Sequence, residues 1–270
     1  MEIDINLRNL QEWNQYKSQN TEVNSKQEID KLVEAIQSNG IFCPFYNKNV
    51  KSSEIEPIED NYRESILYRG LNSRLRAVVF TLLSISNNNR NISIYSPEAV
   101  TSFALAMRGR YPKYLGSEYS ENRDIIKNLF PIPIENIHNL SFEDNSFDYV
   151  IANEIFEHLP YLDDALSEIF RILKSSGVLI STFPFAMESE HSICKAKIID
   201  GEIQYLQEPE YHGNPVDKDG SLVYEIPGWD IISRVRSTGY NDVYMKFKVS
   251  THYGIVGTHH AGIFVLVAQK

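Results

Sequence analysis

The chain has 270 residues, of which 42% are hydrophobic and 23% charged, and its formal net charge at pH 7 is -10. These values predict one α/β domain with additions, and the negative charge argues against a nucleic acid as partner, because phosphate binding needs clustered Lys and Arg. The sequence has no run of about 18 apolar residues and its N-terminus does not resemble a secretory signal, so we expect a cytoplasmic protein and no membrane partner. Two cysteines in unlike contexts, Cys43 and Cys194, predict no disulfide framework.

The first part of the chain differs in pattern from the rest. Residues 1–40 are polar with weak helical spacing, which predicts one or two helices, and residues 41–70 are loop-like. The apolar stretch SRLRAVVFTLLSIS predicts a buried helix over residues 72–85. We therefore expect an N-terminal helical and loop extension over 1–70 and a main domain over 71–270.

From residue 91 onward, predicted strands alternate with predicted helices. The strands are NISIYS, KYLGSEY, PIPIEN, FDYVIAN and GVLISTFPF, and the helices are EAVTSFALAMRG and LDDALSEIFRILK. This alternation is typical of a parallel sheet covered by helices on both faces. Residues 186–226 interrupt the pattern with Pro and Gly, which predicts an inserted loop or hairpin, before a helix around GWDIISRVRSTG and two final strands, DVYMKFKVS and GIFVLVAQK.

Polar side chains follow four of these predicted strands. They are Ser96, Pro97 and Glu98, then Glu118 and Tyr119, then Asn136, and finally Asn153 and Glu154. Ligands of open α/β sheets bind beyond the carboxyl ends of the strands, and these groups suit a nucleoside. Glu118 is the most informative residue, because a carboxylate after the second strand can accept both hydrogen bonds of a ribose diol. An exposed loop carboxylate is the alternative interpretation of Glu118.

The stretch LSFEDNSFDYVIANEIFEHLPYLDDALSEIFRILKSSGVLISTFPF resembles a known family. Its Leu-x-Phe turn, Asn-Ser-Phe-Asp strand entry, Glu-His dipeptide and Arg-x-Leu-Lys helix end are similar to the middle of class I S-adenosylmethionine-dependent methyltransferases of the type 11 or type 12 domain group. The resemblance covers about residues 90–185. It implies an α/β fold with a Rossmann-like, seven-stranded, mostly parallel sheet, and S-adenosyl-L-methionine as the cofactor.

The resemblance also implies roles for residues at the strand ends. Glu118 would hold the ribose, and Tyr119 would flank the adenosine. Asn136 stands where the family has Asp for the adenine amino group, with Ile137 beside the ring, and an amide oxygen can still accept that hydrogen bond.

The loop after the first predicted strand departs from the family, which has an acidic residue and Gly-x-Gly there. This chain has IYSPEAVTS, including Ser96, Pro97 and Glu98. Glu98 would bind the amino group of the cofactor, and the N–H groups of the next helix start would face its carboxylate. Asn153 and Glu154 would face the methionine part and the acceptor.

A second departure lies in FCPFYN and RESILYRGLNSRLRA, which resemble the zinc ribbon of one subgroup of the family. The four metal positions, cysteines in that subgroup, are here Cys43, Tyr46, Ile66 and Arg69. One thiolate does not make a tetrahedral zinc site, so we expect the element to persist without metal. Nearby Arg63, Arg74 and Arg76 are either a clamp for a carboxylate or phosphate or members of ion pairs.

Tyr211, His212 and His158 are the catalytic candidates. A histidine whose pKa is near neutrality can remove a proton from a hydroxyl or amine as the methyl moves. The alternatives are that Tyr211 and His212 order a long loop and that His158 bonds the backbone at a helix start. A last group consists of His252, Tyr253, His259 and His260, but no carboxylate stands at a helpful spacing, and we predict no metal.

The sequence therefore favours a methyltransferase acting on an O or N atom of a small or medium polar acceptor, such as a sugar, a metabolite or a short peptide. A methyltransferase-like binding or assembly protein without catalysis is the alternative, favoured by the missing glycines and zinc ligands. A Rossmann dehydrogenase is rejected, because Gly-x-Gly-x-x-Gly is absent. The assembly state is left open, with a homodimer as one option.

Overall fold

The structure, a computed structural model, describes residues 1–270. The α-helices are α1 (Leu10–Gln19), α2 (Lys26–Asn39), α3 (Ser73–Ile85), α4 (Ser102–Arg110), α5 (Arg123–Leu129), α6 (Leu162–Ile172) and α7 (Ile231–Ser237). The strands are β1 (Glu2–Leu7), β2 (Ile41–Cys43), β3 (Lys48–Val50), β4 (Ser93–Ser96), β5 (Lys113–Gly116), β6 (Phe147–Asn153), β7 (Leu173–Thr182), β8 (Ile193–Cys194), β9 (Ala196–Ile199), β10 (Glu202–Tyr205), β11 (Tyr211–His212), β12 (Ser221–Leu222), β13 (Glu225–Ile226), β14 (Asp242–Ser250) and β15 (Ile263–Gln269). Short 3-10 helices cover Thr21–Asn24, Ser52–Glu54 and Phe156–His158.

Seven strands form one sheet in the order β1-β14-β15-β7-β6-β4-β5. The neighbours β5 and β4, β4 and β6, and β6 and β7 run parallel, whereas β1 and β14 run antiparallel. The predicted Rossmann-like, seven-stranded, mostly parallel sheet is confirmed. Because β4 lies between β5 and β6, the carboxyl ends of these three strands meet at one edge of the sheet.

Two predictions about individual strands were wrong. Glu2–Leu7 is a strand rather than part of a helix, and the alternation in EIDINL places Ile3, Ile5 and Leu7 on one face. The segment PIPIEN forms only isolated bridges, Ile134 with Glu118 and Asn136 with Asn139, because its prolines have no N–H to donate to a ladder. The seventh strand therefore comes from the N-terminus.

The chain divides into two compact units, and the first comprises residues 1–89 and 244–266. The Trp13 ring packs in its core against Phe247 and Phe264, with ring centroids 5.1 Å from each. Helix α3 is almost entirely buried, and it carries Arg76 with no exposed surface. The predicted buried helix over residues 72–85 is thus confirmed.

Residues 41–70 of the first unit contain more regular structure than the sequence predicted. Strands β2 and β3 form an antiparallel hairpin, and Asn47 in its turn has a φ of 49°. A second tight turn, closed by a bridge between Tyr68 and Leu71, has Arg69 at a φ of 48°. The Arg69 guanidinium lies 5.7 Å from the ring centroid of Tyr46 and 5.6 Å from that of Tyr68, so cation–π contacts link the two turns.

The second unit comprises residues 90–243 and 267–270. Its central strand β6 is buried at six of seven positions, as expected for a strand inside a parallel sheet. Helix α6 buries one stripe, made of Leu162, Ala165, Leu166, Ile169 and Ile172. This amphipathic pattern is the one that the sequence predicts for LDDALSEIFRILK.

The predicted insertion over residues 186–226 folds into short two-stranded pieces. Strand β8 pairs with β13, β9 with β10, and β11 with β12. The N–H of Tyr224 donates a hydrogen bond of 2.7 Å to the Glu157 carbonyl, which fixes the insertion to the segment after β6. None of the helices combines the length and the apolar character that crossing a bilayer requires.

Candidate functional site

Glu118 follows β5 and ties that strand end to the loop after β4. Its Oε1 accepts hydrogen bonds from the N–H groups of Ala99, at 2.7 Å, and Val100, at 3.0 Å. The loop packs so closely on β5 that a Cβ on Gly116 would lie 2.4 Å from the Glu98 carbonyl oxygen. Glu118 is 7% exposed, and its second oxygen, Oε2, accepts no hydrogen bond from the protein.

Glu98 and Asn153 form a second buried pair, between the ends of β4 and β6. The Asn153 side-chain amide donates to Glu98 Oε1 at 2.6 Å, and the Thr101 hydroxyl donates to Glu98 Oε2 at 2.7 Å. Asn153 Oδ1 is buried and has no hydrogen-bond partner. Ser96 is also buried and donates to the Ile151 carbonyl, while Pro97 begins the turn that leads to Glu98.

The predicted adenine-side residues lie beyond the end of β5. Tyr119 is 49% exposed, and its hydroxyl donates to the Glu121 carboxylate at 2.7 Å. Asn136 is exposed, and its Oδ1 accepts from the backbone N–H of His138 at 3.0 Å. Ile137 is buried. The Asn136 amide oxygen proposed for the adenine amino group is thus engaged in a turn of its own.

The backbone changes direction sharply where β6 ends. Glu154 has a φ of 53°, in the left-handed region that side chains other than glycine rarely adopt, and its N–H donates to the Thr182 carbonyl at 2.7 Å. The short helix Phe156–His158 follows at once. Residues held in such rarely adopted backbone conformations cluster at functional sites. The kink places Glu157 in the interior with no exposed surface.

Glu157, His158 and His212 form one cluster, although 54 residues separate the two histidines in sequence. Glu157 Oε1 lies 3.6 Å from His158 Nε2 and 3.7 Å from His212 Nδ1, and the imidazole centroids are 5.2 Å apart. Both distances from Glu157 are within ion-pair range but too long for hydrogen bonds, and neither carboxylate oxygen has a hydrogen-bond partner.

The outer nitrogens of the two imidazoles are held by the insertion. His158 Nδ1 lies 2.9 Å from the Leu222 carbonyl oxygen, and His212 Nε2 lies 3.0 Å from Glu210 Oε1. Lys195 forms an ion pair with the same Glu210, and it lowers the pKa of that carboxyl below its ordinary value. The Glu157 carboxylate, followed by that of Glu210, raises the pKa of His212 to about 9, against the opposing effect of partial burial.

The structure brings together two of the three catalytic candidates. His158 and His212 share the cluster, whereas Tyr211 is 53% exposed and its hydroxyl lies 3.5 Å from that of Tyr205. Glu157 and Glu210 were missing from the predicted site. The Glu-His dipeptide was a signal for Glu157, but no sequence pattern links Glu210 to residues so distant along the chain.

The arginines between residues 60 and 80 and the histidines that follow residue 250 belong to the first unit. Arg63 and Arg74 form ion pairs with Glu64, and Arg76 donates to four backbone carbonyls, those of Ile66, Leu71, Tyr253 and Gly254. His252 stacks on Phe42, and burial lowers the pKa of His260 to about 3, so that it is neutral. These contacts give the arginines and these two histidines roles in packing.

The parallel sheet with polar groups at its carboxyl edge is the architecture of nucleotide-binding α/β proteins. The family model for a methyltransferase domain matches residues 102–181, from the start of α4 to the end of β7. This middle part of the chain is therefore similar to the methyltransferase domain family.

Curated relatives match parts of this chain. The sterol 24-C-methyltransferase erg6 of Schizosaccharomyces pombe is 26% identical over 125 residues, which are 46% of this chain and 30% of the relative. A demethylmenaquinone methyltransferase of Staphylococcus epidermidis is 27% identical over 113 residues, 39% of this chain and 47% of the relative. This chain thus spans less than half the length of either relative.

Among solved structures, the fold is similar to the 1,6-didemethyltoxoflavin-N1-methyltransferase of Burkholderia thailandensis, which was crystallised with S-adenosylhomocysteine. The two are 14% identical, the match covers 72% of this chain and 77% of the other, and the TM-score is 0.39.

Proposed function

We propose that this protein transfers a methyl group from S-adenosylmethionine to an O or N atom of a small or medium polar acceptor, such as a sugar, a metabolite or a short peptide. The observation that carries the proposal is a pair of oxygens without a protein donor: Asn153 Oδ1, which is buried, and Oε2 of the mostly buried Glu118 side chain. They lie at the carboxyl ends of β5 and β6, on either side of β4. A buried acceptor such as Asn153 Oδ1 is normally paired, so a ligand with N–H or O–H groups fits this edge.

Each residue at this edge has a defined part in the proposal. Glu118 Oε2 accepts from a ribose hydroxyl, and Asn153 Oδ1 accepts from the amino group of the methionine portion. Glu98 holds Asn153 in place through the hydrogen bond at 2.6 Å. Tyr119 and Ile137 flank the base, and the exposed amide of Asn136 meets its edge.

The acceptor belongs on the side of Glu154, His158 and the insertion. When bound, the cofactor supplies an electrophilic methyl group, and the protein aligns the acceptor atom with it and excludes water. His212 carries a positive charge at neutral pH, because its pKa is raised to about 9. Its two ring nitrogens face the carboxylates of Glu210 and Glu157, so it acts on an acceptor oxygen through its charge rather than through a hydrogen bond, with His158 and Tyr211 completing this side of the site.

Calorimetric titration with S-adenosylmethionine and with S-adenosylhomocysteine tests the proposal. We expect saturable one-to-one binding of both, with dissociation constants in the micromolar range. Incubation with methyl-labelled cofactor and pools of sugars, phenols, amines and short peptides then identifies the acceptor. Failure of both cofactor forms to bind contradicts the proposal.

One observation favours a second candidate, a binding protein without catalysis. The loop after β4 lacks glycine, and its N–H groups at Ala99 and Val100 already donate to Glu118. A loop closed in this way has fewer donors to offer to a cofactor. Absence of cofactor binding, together with retention of a protein partner in pull-down experiments, supports this candidate.

A further inference from the structure

A buried carboxylate facing two imidazoles stands out in the second unit. Glu157 is completely buried, and neither of its oxygens accepts a hydrogen bond. An uncompensated carboxylate in the interior costs several kcal/mol, so such groups are paired or coordinate metals. The two imidazoles that face it, those of His158 and His212, lie beyond hydrogen-bond distance.

We infer that Glu157, His158 and His212 form a binding site for a divalent transition-metal ion, with Glu157 Oε1, His158 Nε2 and His212 Nδ1 as its ligand atoms. The donor atoms of the three residues all lie within 4.8 Å of one another. Ligands bound at about 2.0–2.2 Å in a tetrahedron stand roughly 3.3–3.5 Å apart. The separations of 3.6 Å and 3.7 Å from Glu157 Oε1 therefore need to close by only a few tenths of an ångström.

The surroundings of both imidazoles support the assignment. A metal-binding histidine commonly donates its other ring N–H to a carbonyl or carboxylate, which fixes the tautomer and turns the free lone pair toward the ion. His158 has this arrangement through the Leu222 carbonyl, and His212 has it through Glu210. Each ring thus turns its other nitrogen toward Glu157, and a metal ion bound there would displace the proton that His212 Nδ1 carries in the metal-free protein.

The donor set also indicates the kind of ion. Two imidazoles and one carboxylate suit Zn²⁺, Fe²⁺, Co²⁺ or Ni²⁺, whereas Mg²⁺ and Ca²⁺ prefer oxygen ligands. Three protein ligands leave at least one position open, as in metal sites that bind a substrate. The choice of acceptor rests on the proposed function. An acceptor oxygen bound to the ion in the open position would be held beside the end of β6. The metal site therefore favours a hydroxyl acceptor over an amine.

Metal titration of the full chain tests the site without requiring turnover. Protein treated with a chelator and dialysed is titrated calorimetrically with Zn²⁺ alone, and Co²⁺ is added separately to record its visible absorption. We expect one equivalent to bind with a micromolar or lower dissociation constant, and Co²⁺ to give the intense d–d bands of a four- or five-coordinate site.

Variants locate the ion. Glu157→Gln, His158→Ala and His212→Ala should each weaken Zn²⁺ binding at least tenfold, and Glu210→Gln should weaken it about tenfold, as expected for a residue that orients a ligand. His191→Ala is the matched control, because it removes an exposed histidine of the same unit and should leave the affinity unchanged. Circular dichroism verifies folding, and if one variant does not fold, the other two decide the result.

Two results would overturn the inference. One is the absence of stoichiometric Zn²⁺ and Co²⁺ binding by the wild-type chain, and the other is binding that the cluster variants leave unchanged. Titration of the same samples with S-adenosylhomocysteine separates this test from that of the proposed function. Metal binding without cofactor binding removes only the methyltransferase proposal, and the reverse result removes only the metal site.

Discussion

The two carboxylate oxygens of Glu118 have different surroundings. Oε1 binds the loop after β4, and Oε2 has no protein donor. A glutamine retains an oxygen that can accept from Ala99 and Val100, but it lacks the negative charge that strengthens a bond from a ribose hydroxyl. Substitutions at this residue can therefore separate loop stability from ligand affinity.

We predict that Glu118→Gln weakens S-adenosylmethionine binding by about 1.5–3 kcal/mol while the free energy of unfolding changes by less than about 1 kcal/mol. Glu118→Ala should lower both quantities, because the two loop N–H groups then lose their acceptor. Isothermal titration and urea denaturation measure the two effects. Unchanged cofactor affinity in both variants would remove Glu118 from the cofactor site.

Arg76 is the second residue at which a substitution tests a structural role, here the stability of the first unit. It is completely buried, burial lowers its pKa to about 10, and it donates to four backbone carbonyls. Arg76→Met should lower the free energy of unfolding by about 3 kcal/mol or more, because each orphaned buried carbonyl costs about 1–3 kcal/mol. Urea denaturation measures the loss, and Arg123→Met, at an exposed arginine, should change stability by less than about 0.5 kcal/mol.

At the scale of elements, helix α6 is fastened to the segment before β6 by one arginine. The Arg171 guanidinium donates to both oxygens of Glu168, at 2.9 Å and 2.8 Å, and to the carbonyls of Leu140 and Phe142. The hydrogen bonds from Arg171 hold the pKa of Glu168 below its ordinary value. Both side chains are less than a third exposed, which limits screening by solvent.

This network predicts a dependence of stability on pH. Because the folded-state pKa of Glu168 is depressed, its contribution is complete above the unfolded carboxyl pKa and is lost as pH falls through the folded value. Glu168→Gln should therefore cost about 1 kcal/mol at pH 7 and progressively less below about pH 4.5. Urea denaturation across this range tests the prediction, with exposed Glu34→Gln as control; a cost that stays constant with pH would contradict it.

Elements with a strong apolar pattern could be predicted from the sequence, and elements defined by distant partners could not. FDYVIAN and DVYMKFKVS are β6 and β14 at the predicted bounds, since a dense apolar run in β6 and nine alternating residues in β14 define a strand locally. Strand β1 alternates over only six residues, and its identity depends on pairing with β14 more than 230 residues later. Similarly, Glu157 and His158 are adjacent in sequence, but His212 and Glu210 reach them only because the insertion folds back on the end of β6.

At the scale of the whole molecule, strand β1 completes the sheet at the edge beside β14. All six of its residues pair with β14, from Glu2 opposite Ser250 to Leu7 opposite Met245. Without β1, strand β14 would expose a row of unpaired N–H and C=O groups, which is a template for association with another chain.

Deletion of residues 1–8 should therefore lower the melting temperature and produce soluble oligomers or aggregates. Differential scanning calorimetry and light scattering measure the two effects. Replacement of the same eight residues by a Gly/Ser sequence of equal length is the matched control, and it should behave like the deletion because glycine and serine form weak strands. A deletion variant that stays monodisperse with the wild-type melting temperature would show that β1 is dispensable.

The contact of Arg69 with the rings of Tyr46 and Tyr68 has a consequence for the conditions that the protein tolerates. The two turns within residues 41–70 are joined by a cation over aromatic rings, and Cys43 is the single thiol of this segment. A cation–π contact requires neither a bound metal ion nor a pair of thiolates. The contact between these two turns should therefore persist when a chelator or peroxide is added to the protein.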